Sequence, residues 1–274
     1  MAEQKVKTAL VTGSTDGVGR VVAKRLAQDG IRVLVHGRDH GRGASLVAEI
    51  KDAGGAAEFF AADFAALAEV RRLAAAVSKT NDRLDLLINN AGIGSAGPRE
   101  TSADGYELRF AVNYLAGFLL TDLLLPLLKK GKPARIVNVS SLGQQAIDFA
   151  DVMLTHGYSG SRAYCQSKLA QIMFTIDLAA ELKGTGVSVN ALHPATYMNT
   201  TMVRRAGVTP LSSVEQGADA ILNLATGAAI AGRNGLFFNG LQEARADAQA
   251  YDAAARQRLR RLSLELTGVG SATV

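Results

Sequence analysis

The chain reads as one α/β domain, a doubly wound parallel sheet of about seven strands with helices on both faces. Three observations predict this. Short β-branched runs alternate with longer helical patterns along 1–274. The strand runs are continuously apolar rather than alternating, as expected of strands covered on both faces. No linker or internal repeat interrupts the alternation, so the strand–helix–strand units share a single sheet.

Strands are predicted over Val6–Thr12, Ile31–His36, Ala57–Ala61, Leu84–Ile88, Ala134–Ser140, Val187–Leu192 and Leu236–Phe238. Helical patterns fill the intervals. From Val18 to Gln28, for example, Val18, Val22, Ala23 and Leu26 share one face. Near the C-terminus Tyr251, Ala255, Leu259, Leu262 and Leu266 share a face, with Arg256, Arg258, Arg260 and Arg261 around them. That pattern predicts an amphipathic helix with a solvated arginine side. Two stretches, 144–162 and 196–213, fit no element, and loops this long in a compact domain are usually functional. They are read as substrate loops.

The net charge is +5 and the isoelectric point about 9.4. No long basic run accompanies the charge, so a nucleic-acid partner is not expected; a basic surface also attracts phosphate-bearing cofactors. The single cysteine, Cys165, excludes an intrachain disulfide. No apolar leader precedes the first strand, and Ala116–Leu128 is broken by Asp122 and Pro126 and reads as too short to span a bilayer. A cytoplasmic location is the expectation. His36, His40, His156 and His193 lack metal-ligand spacing, and no metal is expected.

The first strand runs into Thr12-Gly13-Ser14-Thr15-Asp16-Gly17-Val18-Gly19 and then a helix. Glycines suit a phosphate cradle here. Gly13 allows a tight turn, Gly17 lets the backbone approach a pyrophosphate, and Gly19 lets helix and strand pack closely. The helix N-terminus then offers N–H groups and a positive dipole end. Gly13, Thr15, Asp16, Gly17, Val18 and Gly19 are the candidate cofactor-binding residues of this turn, against the plainer reading of a glycine-rich turn without a ligand.

The second strand ends Val35-His36-Gly37-Arg38-Asp39. A carboxylate at the strand end would accept from the 2′-hydroxyl of NAD. Gly37 occupies that place, and Arg38 offers a planar fork suited to a 2′-phosphate. NADP(H) is therefore expected ahead of NAD(H), although a register one or two residues off would put Asp39 at the strand end.

Tyr164 and Lys168 stand at i and i+4 of a helical pattern, so both face the same way. A phenol ionises near pH 10, and a neighbouring ammonium stabilises the phenolate. Bringing it close to neutrality takes about 3–4 kcal/mol, at about 1.36 kcal/mol per pH unit. Ser140 and Ser141 end the fifth strand, where a hydroxyl faces the crevice beyond a parallel sheet's carboxyl edge.

The turn spacing T-G-x-x-x-G-x-G, the Asn89-Asn90-Ala91-Gly92 strand end, Ser141 and the Tyr164–Lys168 pair together resemble the short-chain dehydrogenase/reductase family. The resemblance covers essentially the whole chain and implies a Rossmann fold and a carbonyl or alcohol substrate. It assigns Asn113, Ser141, Tyr164 and Lys168 to catalysis. In that assignment Ser141, with Ser140 its near competitor, binds the carbonyl oxygen, and Asn113 distorts its helix and holds a relay water. The cofactor set is extended to Asp63, Phe64, Asn90, Ala91, Gly92, Tyr164, Lys168, Pro194 and Thr196, Lys168 also holding the nicotinamide ribose and Asp63 serving as the adenine contact or as a helix cap. Family members often form homodimers or homotetramers.

More residues separate Ser141 from Tyr164 than is usual in the family, and the pattern looks like the retinol-dehydrogenase-like branch. Met153, Leu154, Tyr158, Tyr197, Met198, Met202 and Val203 either line an apolar pocket under a lid or serve ordinary packing. The expected activity is hydride transfer with an apolar aldehyde, ketone or secondary alcohol. The rivals are an NADPH-binding regulator without turnover, a sugar-nucleotide epimerase or dehydratase, for which the stretch after Phe238 is short, and a nucleic-acid-binding protein.

Overall fold

The computed structural model describes residues 6–269. The segment ahead of the first strand, on which the location rests, falls largely outside them. β1 (Thr8–Val11) leads through α1 (Gly17–Gln28) to β2 (Arg32–Gly37), α2 (His40–Asp52) and β3 (Ala57–Ala61). α3 (Leu67–Thr80) crosses to β4 (Leu86–Asn89). A long helix follows, made of α4 (Leu108–Phe110), a π-helical turn (Ala111–Leu115) and α5 (Ala116–Lys130). Then come β5 (Ala134–Val139), α6 (Gly160–Glu181), β6 (Val187–His193), α7 (Thr201–Arg205), α8 (Val214–Thr226), β7 (Phe237–Asn239), β8 (Gln242–Ala244) and α9 (Ala253–Thr267).

The eight strands form one sheet in the order β3-β2-β1-β4-β5-β6-β7-β8. Every pairing up to β6–β7 is parallel, and β8 is antiparallel to β7. The sequence reading has seven of these strands and misses β8. Gln242, Glu243 and Ala244 carry no apolar run because the strand lies at an exposed edge, where a short polar strand resists further pairing. Strand order reverses between β1 and β4, and the crevice above their carboxyl ends is where ligands bind in such sheets.

Successive strand residues point to opposite faces, so each strand feeds two cores. Leu10, Leu34, Leu87, Ile136 and Val189 pack with α3, α5, α6 and α9. Val11, Val33, Val35, Ile88, Val137 and Leu192 pack with α1, α2 and α8. Double-sided burial is why the strand sequences do not alternate.

Two sequence expectations are corrected here. The helix at Leu108–Lys130 has 23 residues, not the shorter stretch read between Ala116 and Leu128. It is long and apolar enough to cross a membrane by length and composition, and 72% of its most apolar window is buried inside the protein. α9 keeps Ala255 and Leu259 of the predicted face inward but continues it through other residues than Leu262 and Leu266. Ala255, Leu259, Ser263 and Thr267 are buried, whereas Tyr251 precedes the helix and is exposed. The ridge ends in hydroxyls because the buried Tyr114 shares a hydrogen bond of 2.7 Å with Ser263. Two arginines of the predicted solvated side are instead paired with α6: Arg256 to Asp177 and Arg260 to Glu181, each at 2.6 Å.

Candidate active site

The carboxyl ends of β1, β2, β4, β5 and β6 converge on one crevice. At its centre the hydroxyl of Tyr164 has Ser141 as its polar neighbour. Ser141 Oγ accepts from the Gly143 amide at 3.0 Å. The neighbouring serine is settled by strand parity. Ser140 Oγ donates to the Lys168 carbonyl at 2.7 Å and is spent on α6.

α6 begins at Ser159, whose hydroxyl accepts from the Arg162 amide, and carries Tyr164 and Lys168 one turn apart. Lys168 Nζ lies 5.7 Å from the centroid of the Tyr164 ring. It donates to the Val139 carbonyl at 2.9 Å and to Gln171 Oε1 at 3.1 Å. Burial lowers the Lys168 ammonium to about 7. Burial raises the Tyr164 phenol, and the Ser141 hydroxyl beside it works in the opposite direction. His193 is lowered by burial and then by the charge of Lys168.

Asn113 sits in the π-helical turn, so the helix is distorted at this residue. Its side chain grips the strand-end loop. Oδ1 accepts from the Ile93 amide at 2.7 Å, while Nδ2 donates to the Ile93 carbonyl at 3.2 Å and to Ser167 Oγ at 2.9 Å. Gly92 lies between the two polar groups: a Cβ there would stand 3.2 Å from Asn113 Oδ1 and 3.5 Å from Lys168 Nζ.

The glycine turn is shaped to hold a phosphate group. Gly17 has φ of 53°. A Cβ on Gly19 would stand 2.4 Å from the Gly13 carbonyl oxygen, so helix and turn meet this closely only without one. Asn90 Nδ2 donates to the carbonyls of Thr12 and Gly13, at 2.9 and 3.1 Å, tying the β4 end to the turn. Thr12 Oγ1 accepts from the amides of Asn90 and Ala91. Val18 is buried, and Thr15 lies against Gly37. Asp16 caps α1 by accepting from the Gly17 amide at 2.7 Å, so a carboxylate shares the turn.

Two contributors escape the sequence reading. His36 Nδ1 accepts from the Gly13 amide at 3.1 Å, and Nε2 lies 3.2 Å from the Ala62 carbonyl, so the ring is neutral with its proton on Nε2. It stacks on Phe64 with centroids 4.4 Å apart. Burial lowers its ionisation to about 4. The second is Arg42, whose Nη1 reaches Asp16 at 3.1 Å and whose Nε lies 3.6 Å from Asp39. Its place in the first turn of α2, just after Arg38, was the available signal.

Arg38 is 3.5 Å from Asp63, and both are exposed. Asp63 does not cap α3, whose N-cap is Ala66; Asp63 Oδ1 accepts from the Ala65 amide instead. A Cβ on Gly37 would come within 2.5 Å of Thr15 Oγ1, so a side chain there would have to displace that of Thr15. These features fit a nicotinamide dinucleotide.

The loops 144–159 and 196–213 flank the crevice, the second enclosing α7. Each holds one non-glycine residue at positive φ, Leu154 at 47° and Tyr197 at 44°. For such side chains this conformation is strained. Met153, Leu154 and Tyr158 turn inward rather than lining the mouth. Met153 Sδ accepts from the Glu107 amide at 3.4 Å, and Tyr158 donates to Glu107 at 3.1 Å. Met198 packs onto Gly217. Leu142, Tyr197, Met202 and Leu211 remain exposed. Pro194 is buried, and Thr196 Oγ1 lies 3.1 Å from His193 Nε2.

A family model described as short chain dehydrogenase matches residues 7–209. Retinol dehydrogenase 13 of Homo sapiens is 36% identical over 288 residues, covering 98% of this chain and 86% of the relative. Retinol dehydrogenase 11 of Mus musculus is 43% identical over 194 residues, covering 69% and 61%. Among solved structures, the RhlG/NADP active-site complex of Pseudomonas aeruginosa superposes with a TM-score of 0.70 at 29% identity, covering 86% of this chain and 95% of that one.

Proposed function

The chain belongs to the short-chain dehydrogenase family, and from that premise we propose that it is an NADP(H)-dependent oxidoreductase acting on an apolar aldehyde, ketone or secondary alcohol. The observation that carries the reading is the buried Lys168 ammonium 5.7 Å from the centre of the Tyr164 ring, with Ser141 as the phenol's polar neighbour.

When bound, the nicotinamide supplies the hydride donor or acceptor. Ser141 donates its hydroxyl proton to the substrate oxygen and orients it. In reduction Tyr164 delivers its proton to that oxygen as the carbonyl carbon becomes tetrahedral. In oxidation Tyr164 removes the proton from the hydroxyl. Lys168 favours the phenolate through its charge, which burial leaves poorly screened.

NADP(H) is favoured by Gly37, Arg38 and Arg42. Exposed pairs such as Arg38–Asp63 and Arg42–Asp16 are worth little, so both guanidinium groups are cheaply re-aimed at a phosphate. The apolar substrate class is supported by Leu142 beside Ser141 and by Tyr197, Met202 and Leu211 in the loop after β6. The retinol named in the relatives is itself an apolar alcohol.

The test is Tyr164→Phe in a screen of aldehydes, ketones and alcohols with both cofactors, read by reduced-nicotinamide absorbance. Turnover should fall by about 10²–10⁴-fold while NADPH binding stays. Undiminished turnover in that variant defeats the mechanism. NADPH binding by the parent protein with no turnover across the panel would make it a cofactor-binding regulator instead.

A further inference from the structure

An ammonium carries three donors, and Lys168 has two of them satisfied by protein, at Val139 O and Gln171 Oε1. Lys168 and Gln171 are both buried. Among the described residues Lys168 enters no ion pair. Its charge is therefore held by two oxygen dipoles, one from β5 and one from its own helix three residues on. The third donor is left for the crevice beside Gly92, where there is no side chain to obstruct it.

We propose that Gln171 is the positioning residue of the reacting pair, its amide oxygen tethering the Lys168 ammonium beside Tyr164. This rests on the reading of Tyr164 and Lys168 given above.

The choice of side chain has a physical reason. A carboxylate at 171 would also hold the ammonium, but its charge would cancel the field at the phenol. An apolar side chain would leave a buried ammonium with a single protein acceptor, which favours the neutral amine. An amide oxygen holds the charge without cancelling it. Gln171 is in turn fixed by a buried polar file. Its carbonyl accepts from Thr175 Oγ1 at 2.8 Å, Thr175 accepts from Asn138 Nδ2 at 2.8 Å, and Asn138 Oδ1 accepts from Asn89 Nδ2 at 2.9 Å. The file ties the α6 backbone at Gln171 to β5 and β4.

The titratable groups coupled to the pair are His193 from β6, Cys165 on α6 and Tyr197 from the loop after β6. Asn113 from the π-helical turn faces Gly92 without charge. No carboxylate is among them.

The experiment follows the ε-carbon resonance of Lys168 in ¹³C-lysine-labelled, cofactor-free protein, with Lys168→Met as the assignment blank. In the parent the ammonium should titrate near 7. Gln171→Leu should lower that midpoint by about one pH unit, and Gln171→Glu should raise it by one to three, as expected for an opposite charge a few ångströms away. Gln171→Asn should fall between Gln171→Leu and the parent. In turnover, Gln171→Leu should lower kcat about tenfold at neutral pH with KM for the alcohol unchanged. Midpoints for Gln171→Leu and Gln171→Glu that match the parent overturn the proposal. If Gln171→Leu does not fold, Gln171→Glu alone decides it. The resonance needs no substrate, so failure to find any turnover would count against the proposed function and not against the tether.

Discussion

The amide of Gly13 donates to Nδ1 of His36 at 3.1 Å, so the first glycine of the phosphate turn hangs from a side chain of the neighbouring strand. Protonating the ring removes that acceptor. Burial lowers the folded-state value to about 4 from an ordinary 6.5. Between those values the unfolded chain binds the extra proton, so stability is full above pH 6.5 and falls as pH drops toward 4. His36→Leu should cost about 1–3 kcal/mol at pH 7 by orphaning a buried amide, and should flatten this acid slope. Urea unfolding of both proteins at pH 7 and 5 checks it, and equal slopes would refute the assignment.

Lys168 imposes a burden of the same sign at higher pH. Its folded value of about 7 lies below the ordinary 10.5, so the unfolded state holds more protons between those limits. Stability contributed by this residue therefore rises with pH from 7 to 10.5 and is lowest below 7. Lys168→Met should be more stable than the parent at neutral pH, should lose the rising slope, and should not turn over substrate. Parallel unfolding curves at pH 7 and 9 would contradict it.

Arg38→Ala and Arg42→Ala should each weaken NADPH binding by about tenfold to a hundredfold, the equivalent of 1.5–3 kcal/mol for a charged hydrogen bond, with NADH affected much less. Fluorescence titration with both nucleotides measures the ratio. Equal weakening would remove both arginines from the 2′-phosphate.

Arg109 is buried beside Glu107 and holds two loops together. It donates to the carbonyls of Gly94 at 2.9 Å and Ala96, and its Nη1 lies 3.5 Å from Glu107 Oε1, which also accepts from Tyr158. Arg109→Met strands the Glu107 charge and should cost about 3–5 kcal/mol, read as a fall in Tm on the order of 10 °C. Adding Glu107→Gln should recover much of the loss. A double variant no better than the single one would show that the loop contacts, not the stranded charge, set the cost.

Much of this was legible along the chain. Seven strands appear within a residue or two because apolar runs and glycine punctuation are local signals. Tyr164 and Lys168 could be paired because helical spacing alone puts them on one face. Ser140 and Ser141 could not be separated, because one residue of register decides which hydroxyl meets the crevice and which meets α6. β8 has no apolar signature, since it is exposed on one edge. Met153, Leu154 and Tyr158 have the composition of a pocket wall but face Glu107 and the interior.

Periodicity, turn chemistry and residue type are written in the order of the residues, and they were enough to determine a parallel sheet, a phosphate turn and a tyrosine–lysine pair. Contacts between residues distant in sequence are not written there. That His36 holds Gly13, that Val139 holds Lys168, and that α9 seats Ser263 on Tyr114 were decided only when the sheet brought separate segments within hydrogen-bond reach. Burial decided the protonation states in the same way, because desolvation depends on what packs around a group and not on its neighbours in the chain.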